Sequence, residues 1–198
     1  RAAITLGVAH PPGYPLYALL GHVWLRLLPW GDAVYRLNLL SAACGALAAA
    51  LLAAACRRHG RAAAGAAGLS FAFCAPLWKF SLLSEMYSLQ AAFAAALLLV
   101  SEGGRGTFSR RAAVGGLLFG LGCVNHQSFV LTAPAWLWLW RGQARRHGLP
   151  FSRSLRAALP FSLAGLLLYA VVPILLGDAR LGWAVLLRAE YGTFTLSS

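Results

Sequence analysis

Residues 33–56 read AVYRLNLLSAACGALAAALLAAAC and are followed at once by Arg57-Arg58-His59-Gly60-Arg61. The run of 24 residues carries a single charge, Arg36. As a helix it rises about 36 Å, more than the hydrocarbon thickness of a bilayer, about 30 Å. It reads as a membrane-crossing helix, and the arginines at its end place that end in the cytoplasm by the positive-inside rule.

Working outward, two more arginine clusters bound apolar stretches: Arg105, Arg110 and Arg111, then Arg141, Arg145, Arg146, Arg153 and Arg156. The three clusters hold eleven of the 17 basic residues and one acid, Glu102. If all three share the cytoplasm, the other polar groups collect on the opposite face. These are the His10-Pro11-Pro12-Gly13-Tyr14-Pro15 run, Asp32, Glu85, Asn125-His126-Gln127, Asp178, Arg188 and Glu190. With 60% hydrophobic and 11% charged residues and a mean hydropathy of +0.67, the chain is expected to be a polytopic all-α membrane bundle. The net charge of +12 then reads as an orientation signal with some attraction to anionic lipid, and no nucleic-acid partner is expected.

The parity of crossings assigns the rest. Residues 1–30 are expected to form a loop on the face opposite the clusters and an interfacial helix: Leu16, Leu19, Leu20, Val23, Trp24, Leu27 and Leu28 recur at helical spacing between Pro15 and Pro29. The segment is too short to span, and Tyr17, Trp24 and Trp30 suit interface anchors. Membrane helices are expected at 33–56, 62–79, 82–101, 112–124, 126–140 and 157–176, with a segment at 177–198 on the face opposite the clusters. Residues 112–140 admit two short arms meeting at Asn125-His126-Gln127, or one long tilted helix that would move the third cluster to the far side; charge bias favours the arms. The Ala/Gly-rich stretches 62–68 and 112–116 would permit close helix packing. Cys44, Cys56, Cys74 and Cys123 show no CxxC spacing, so no metal site is expected, and a Cys74–Cys123 bridge is the one pairing left open. The chain opens on Arg1 without an initiator Met and stops at Ser198, so it is expected to be part of a longer protein.

Each polar constellation carries two readings. Three prolines and a glycine between His10 and Pro15 hold His10 and Tyr14 rigidly, which suits a binding loop or simply a stiff helix entry. Glu85, before Met86-Tyr87, is either a solvated interfacial carboxylate or one facing a cavity, because a carboxylate at bilayer depth is costly. His126, between Asn125 and Gln127, either bonds across helices or contacts a ligand. Arg188 could grip a phosphate or pair with Glu190.

At these residues the chain resembles a known family. Gly7-Val8-Ala9-His10-Pro11-Pro12-Gly13-Tyr14-Pro15-Leu16, Tyr35-Arg36-Leu37-Asn38-Leu39-Leu40, Glu85-Met86-Tyr87-Ser88-Leu89, Asn125-His126-Gln127 and Glu190-Tyr191-Gly192-Thr193-Phe194 occur in the order and spacing of the transmembrane protein 260 family of protein O-mannosyltransferases. The resemblance implies a C-type glycosyltransferase fold in the endoplasmic reticulum membrane. It also implies dolichyl phosphate mannose as donor, without a further cofactor, and Ser or Thr hydroxyls of lumenal domains of receptors such as plexins as acceptors. His10, Tyr14, Glu85, Tyr87, Asn125, His126, Arg188 and Glu190 become the expected substrate-binding residues. The family's Asp-Ser-Gly-Glu run, the expected source of the catalytic base, would lie upstream of Arg1. Its Trp-Gly-Asp stretch is shortened here between Asp178 and Arg188. The fragment by itself is therefore expected to be inactive. The rival classes are a flippase or transporter, whose polar groups should connect both faces, and a subunit that only binds a lipid-linked sugar.

Overall fold

A computed structural model describes residues 2–5, 14–103 and 107–169. His10, Arg105, Arg188, Glu190 and the whole of 170–198 lie outside the described residues. Those described form helices α1 (Ala2–Thr5), α2 (Pro15–Leu27), α3 (Ala33–Cys56), α4 (Arg61–Ala72), α5 (Ala75–Ser81), α6 (Tyr87–Gly103), α7 (Phe108–Asn125), α8 (Ala133–Arg146) and α9 (Phe151–Leu166). The fold is all-α. Among the described residues one helix, Ala33–His59, is long and apolar enough to cross a membrane by length and composition; α6 is apolar but shorter.

Local chemistry sets the helix ends. Pro15 opens α2 at a position where no N–H is needed, and Pro29 follows its end. The Asp32 carboxylate accepts from the Tyr35 N–H at 2.9 Å and caps α3. Gly60, with φ +107°, turns the chain into α4 through backbone that side chains disfavour. The stretch 62–79, expected as one helix, divides at Phe73-Cys74. Pro76 is the cause: its ring has no N–H for the carbonyl of Ala72 and would collide with it in a continuous helix. After α5 the chain turns through Glu85, whose N–H donates to Leu83 O at 2.8 Å, so α6 begins at Tyr87 rather than near 82.

Residues 108–147 form an antiparallel hairpin rather than one tilted helix. Phe108 packs on Trp140 at 5.2 Å between ring centroids, Phe119 stacks on Trp136 at 5.0 Å and lies 6.0 Å from Phe129. Partner numbers fall as α7 advances, so the two arms run in opposite directions. The reversal occupies His126 and a short 3-10 turn, Gln127–Thr132, with Pro134 starting α8. Along α9 the register instead rises with α7: Gly116 meets Ala158 and Gly120 meets Ser162, so those two helices are parallel. α3 and α6 are also parallel, with Ser41 near Glu85 at one end and Arg58 paired to Glu102 at the other.

These registers gather the chain reversals into two sets. One end of the bundle holds Arg57, Arg58 and Arg61, Arg110 and Arg111, and the arginines of residues 141–156. The other holds Tyr14, Asp32, Glu85 and His126. Between them lies an apolar core that includes Leu97, Phe108, Phe129, Trp136, Trp140 and Ala158. Among the described residues Arg111 is the one buried arginine, 6% exposed, lying 6.0 Å over the Trp140 ring and 3.4 Å from His147 Nε2. All four cysteines are free thiols, so the Cys74–Cys123 pairing does not form.

The α2–α3 corner is held by reciprocal bonds. Arg36 donates to the carbonyls of Leu25 at 2.9 Å and Leu28 at 2.6 Å, which satisfies the open end of α2, and Trp24 Nε1 donates to Arg36 O at 2.8 Å. Tyr17 shares a 3.0 Å bond with Ser41. The polar tips of Tyr17 and Trp24 thus belong to α3; Trp30, 58% exposed, remains free to serve as an anchor.

Small residues let helices touch at backbone distance. On α4, a Cβ at Gly68 would stand 3.3 Å from Ala49 O, and on α7 a Cβ at Gly116 or Gly120 would overlap the carbonyls of Ala158 or Ser162. Gly116→Leu and Gly120→Leu are therefore expected to push α9 from α7 and destabilise the fold by about 1 to 3 kcal/mol or more. Gly65→Ala, where nothing lies within 4 Å, is expected to be neutral or slightly stabilising. Melting temperatures of the three variants in detergent check the contrast; equal effects would refute it.

Candidate functional site

The end opposite the arginines brings together five of the expected binding residues. Tyr14 precedes α2 and holds φ 43° and ψ 53°, the left-handed region that non-glycine residues seldom occupy. Such strain persists where surroundings enforce it and concentrates at functional sites. Here the Tyr14 ring lies nearly parallel on the His126 imidazole, 5.4 Å between centroids and 9° between planes. On another side of the imidazole stands Tyr87, 5.6 Å away and tilted by 42°, itself packed on Phe80 at 4.5 Å. Tyr14, Tyr87 and Phe80 come from three separate elements, yet they form one aromatic wall around His126.

His126 is fixed by its own turn. Its Nδ1 accepts from the Ser128 N–H at 3.2 Å and lies 2.6 Å from the Ser128 hydroxyl. An acceptor at Nδ1 assigns the proton of the neutral ring to Nε2. Burial lowers the imidazole pKa from its ordinary 6.5, and the Ser128 N–H, which needs an acceptor, opposes a second proton for the same reason. The ring is then a neutral donor at Nε2. Burial likewise raises the Tyr14 phenol above its usual value, with Tyr87 and Glu85 adding to the shift, so Tyr14 also keeps its proton. Glu85 itself is exposed. Its backbone carbonyl accepts a 3.4 Å bond from the buried Ser41 hydroxyl, which ties the turn to α3 while leaving the carboxylate free.

Asn125 sits beneath this group, 0% exposed. Its amide nitrogen donates to Met86 O at 3.1 Å and to Gln90 Oε1 at 2.9 Å, so it joins the end of α7 to the start of α6. The Tyr169 hydroxyl donates to Cys123 O at 3.2 Å, capping the same helix end. Phe80, Gln90, Ser41 and Tyr169 escaped the sequence reading. Only Gln90, polar within an apolar run, carried a signal. Among the described residues no group of three His, Cys, Asp or Glu side chains stands close enough to hold a metal ion. What the site offers is aromatic faces, two neutral donors and one carboxylate, a set suited to a polyol ring with apolar faces and hydroxyl edges.

Residues 1–147 match the family described as Protein O-mannosyl-transferase TMEM260 N-terminal domain. The chain belongs to that family. It is also 36% identical over 217 aligned residues to mouse Protein O-mannosyl-transferase TMEM260, an alignment that takes in 99% of the chain and 31% of the mouse protein. The alignment is longer than the chain's 198 residues, so it opens gaps in this chain. No solved structure matches. Tyr14, Glu85, Tyr87, Asn125 and His126 all fall within the part that matches the TMEM260 N-terminal family, whereas Arg188 and Glu190 lie beyond it.

Two outcomes test this geometry. Because the unfolded chain takes up the His126 proton more readily than the folded one, stability is greatest above the unfolded value of 6.5. It should fall as pH drops below that value and level off once the folded imidazole also protonates. His126→Gln should flatten the change in melting temperature between pH 7 and pH 5, and an unchanged slope would count against the half-buried neutral ring. Asn125→Ala should cost about 1 to 3 kcal/mol, and adding Gln90→Ala should cost less than the sum of the single changes. Additive losses would show that the two amides do not act together.

Proposed function

We propose that this chain is the membrane domain of a protein O-mannosyltransferase that moves mannose from dolichyl phosphate mannose to Ser or Thr hydroxyls of lumenal protein domains, such as those of plexins. Family membership is the observation that carries this reading. The convergence of Tyr14, Glu85, Tyr87 and His126 at the end away from the arginines supports it. By the positive-inside rule that end faces the lumen, in a multi-pass arrangement in the endoplasmic reticulum membrane with α2 lying at the interface.

In the proposed reaction the acceptor oxygen forms a bond to the anomeric carbon as the bond from that carbon to the phosphate oxygen breaks. Dolichyl phosphate leaves with the electron pair, a carboxylate base takes the acceptor proton, and the configuration inverts. Tyr14 and Tyr87 offer faces for the sugar ring. Glu85 accepts from sugar hydroxyls, and His126 Nε2–H donates to a hydroxyl or phosphate oxygen. Asn125 acts from below as a positioning residue. His10 precedes Tyr14 by four positions in sequence and would help to shape the site, Arg188 would counter the phosphate charge, and Glu190 neighbours it in sequence. The base is assigned to none of these residues.

A flippase would need polar groups linking both ends. The core between them is instead lined by Leu97, Phe129, Trp136 and Trp140, which favours a one-sided site. The test supplies labelled dolichyl phosphate mannose to membranes carrying the full product of the gene. Transfer to a Ser or Thr acceptor is expected, and Glu85→Gln and His126→Ala should each cut it at least tenfold without lowering protein abundance. Absence of any transfer by the unaltered protein would overturn the assignment, and unchanged turnover in both variants would leave the site in error.

A further inference from the structure

The arginine end of the bundle contains a cavity of about 570 Å³ between the turn Arg57–His59 that follows α3 and the last turns of α6 and α8. Its volume falls in the range of ligand pockets rather than packing defects. Arg58, Arg141, Arg145 and Arg146 line it against one acid, Glu102. Glu102 is already paired with Arg58; among the described residues the three arginines of α8 have no ion-pair partner. Basic side chains complement the dipole at a helix C-terminus, which accounts for Arg145 and Arg146 on α8. Arg58 reaches the same concavity from beyond α3 and is held there by Glu102; Arg141, a turn earlier on α8, is left without a partner among the described residues.

A second observation lies directly along the same seam. A groove of about 170 Å³ runs between α6 and α8, lined by Leu97, Leu98, Ala135, Trp136 and Leu139 among others, and Leu139 also lines the basic cavity. Two hydroxyls border the groove, and both are turned inward: Ser101 donates to Leu97 O at 2.7 Å and Thr132 to Phe129 O at 2.7 Å. The wall is therefore apolar throughout. From Ala94 to Ser101 it extends along α6 by about 10 Å. Trp138, 75% exposed, stands at the rim of the basic cavity, where an indole suits the headgroup layer.

We propose that this seam is a binding site for an anionic phospholipid, with the phosphate held by Arg141, Arg145 and Arg146 and the headgroup end of one acyl chain lying in the α6–α8 groove. Guanidinium groups bind phosphate oxygens through paired hydrogen bonds, and basic pockets between membrane helices suit anionic headgroups. A free phosphate shares the headgroup chemistry but has no use for the groove. The site lies at the opposite end of the bundle from Tyr14 and His126, so it is separate from any donor bound there. It goes beyond the proposed transferase activity, and binding alone tests it.

The purified intact protein in neutral detergent is titrated with phosphatidic acid, phosphatidylcholine and glycerol 3-phosphate, and bound ligand is counted by native mass spectrometry. Phosphatidic acid is expected to bind at least tenfold more tightly than either of the others. Arg141→Gln combined with Arg145→Gln alters exposed side chains and should reduce that preference at least fivefold at an unchanged melting temperature. Leu98→Trp, which fills the groove, should weaken phosphatidic acid while leaving glycerol 3-phosphate as it was. Equal binding of phosphatidylcholine, or an unaltered preference in the double variant, would overturn the site. Glycerol 3-phosphate binding as tightly as the lipid would show a free-anion site and overturn the lipid assignment.

Discussion

A guanidinium buried without a partner in an apolar bundle costs more than a helix–helix contact returns, and this chain carries many arginines and few acids. Every reversal that contains a cluster must therefore reach the same solvated end, and the lengths of the intervening helices follow from that. Arg111 marks the limit of the rule. It enters the core only because Trp140 offers its ring face and His147 a nitrogen 3.4 Å away. With the arginine clusters confined to one end, the reversals at 82–86 and 126–132 are forced to the other. That brings a carboxylate, an imidazole and three aromatic rings within reach of one another, although they are far apart in sequence.

The far end needs its own fastening, because two of its reversals replace helix hydrogen bonds with turns. Asn125 supplies it by closing α7 onto the start of α6 through Met86 O and Gln90. The Tyr17–Ser41–Glu85 chain of bonds supplies the matching tie from α2 through α3 to the same turn. With both ties in place, the backbone on either side of Glu85 and His126 is fixed, while the Glu85 carboxylate and the imidazole edge stay accessible. Accessible functional atoms held in place by a packed, hydrogen-bonded backbone are what binding by few polar groups requires.

Much of this was legible in the residues, for reasons that differ by element. The arginines at 57–61 stop α3 with charge, so that end was readable, whereas the capping bond of Asp32 at its start emerged only from the structure. The hairpin at 112–140 was readable as two arms because Asn125-His126-Gln127 interrupts an apolar run and because five arginines follow it. The break before Pro76 was hidden by apolar continuity: hydropathy does not fall there, and only the lost N–H divides the helix. Tyr17 and Trp24 looked like interface anchors because an amphipathic ring near a bilayer suits the headgroup layer as well as it suits a neighbouring helix. The partner that decides between the two, Ser41 or Arg36 O, cannot be seen from local spacing. For the same reason the stacking of Tyr14 on His126 was unreadable, although both residues were picked out singly. His10, Arg188 and Glu190 stand outside the described residues, so their part in the site rests on sequence alone.

Helix α6 connects the two ends. It begins at Tyr87, in the aromatic wall of the candidate site, and runs 17 residues to Gly103 beside the Arg58–Glu102 pair. At 1.5 Å per residue it spans about 25 Å, close to the apolar thickness of a membrane. Its neighbours hold it on both sides, α3 by parallel packing and α7 through Asn125, so it has little freedom to tilt without breaking a bond at the far end. A group bound against its last turns would therefore act on the same rigid rod that carries Met86 and Tyr87. Such an effect could only restrain the site as a whole. It could not open a path through the core, because Trp136, Trp140 and Phe129 fill the space between the two ends.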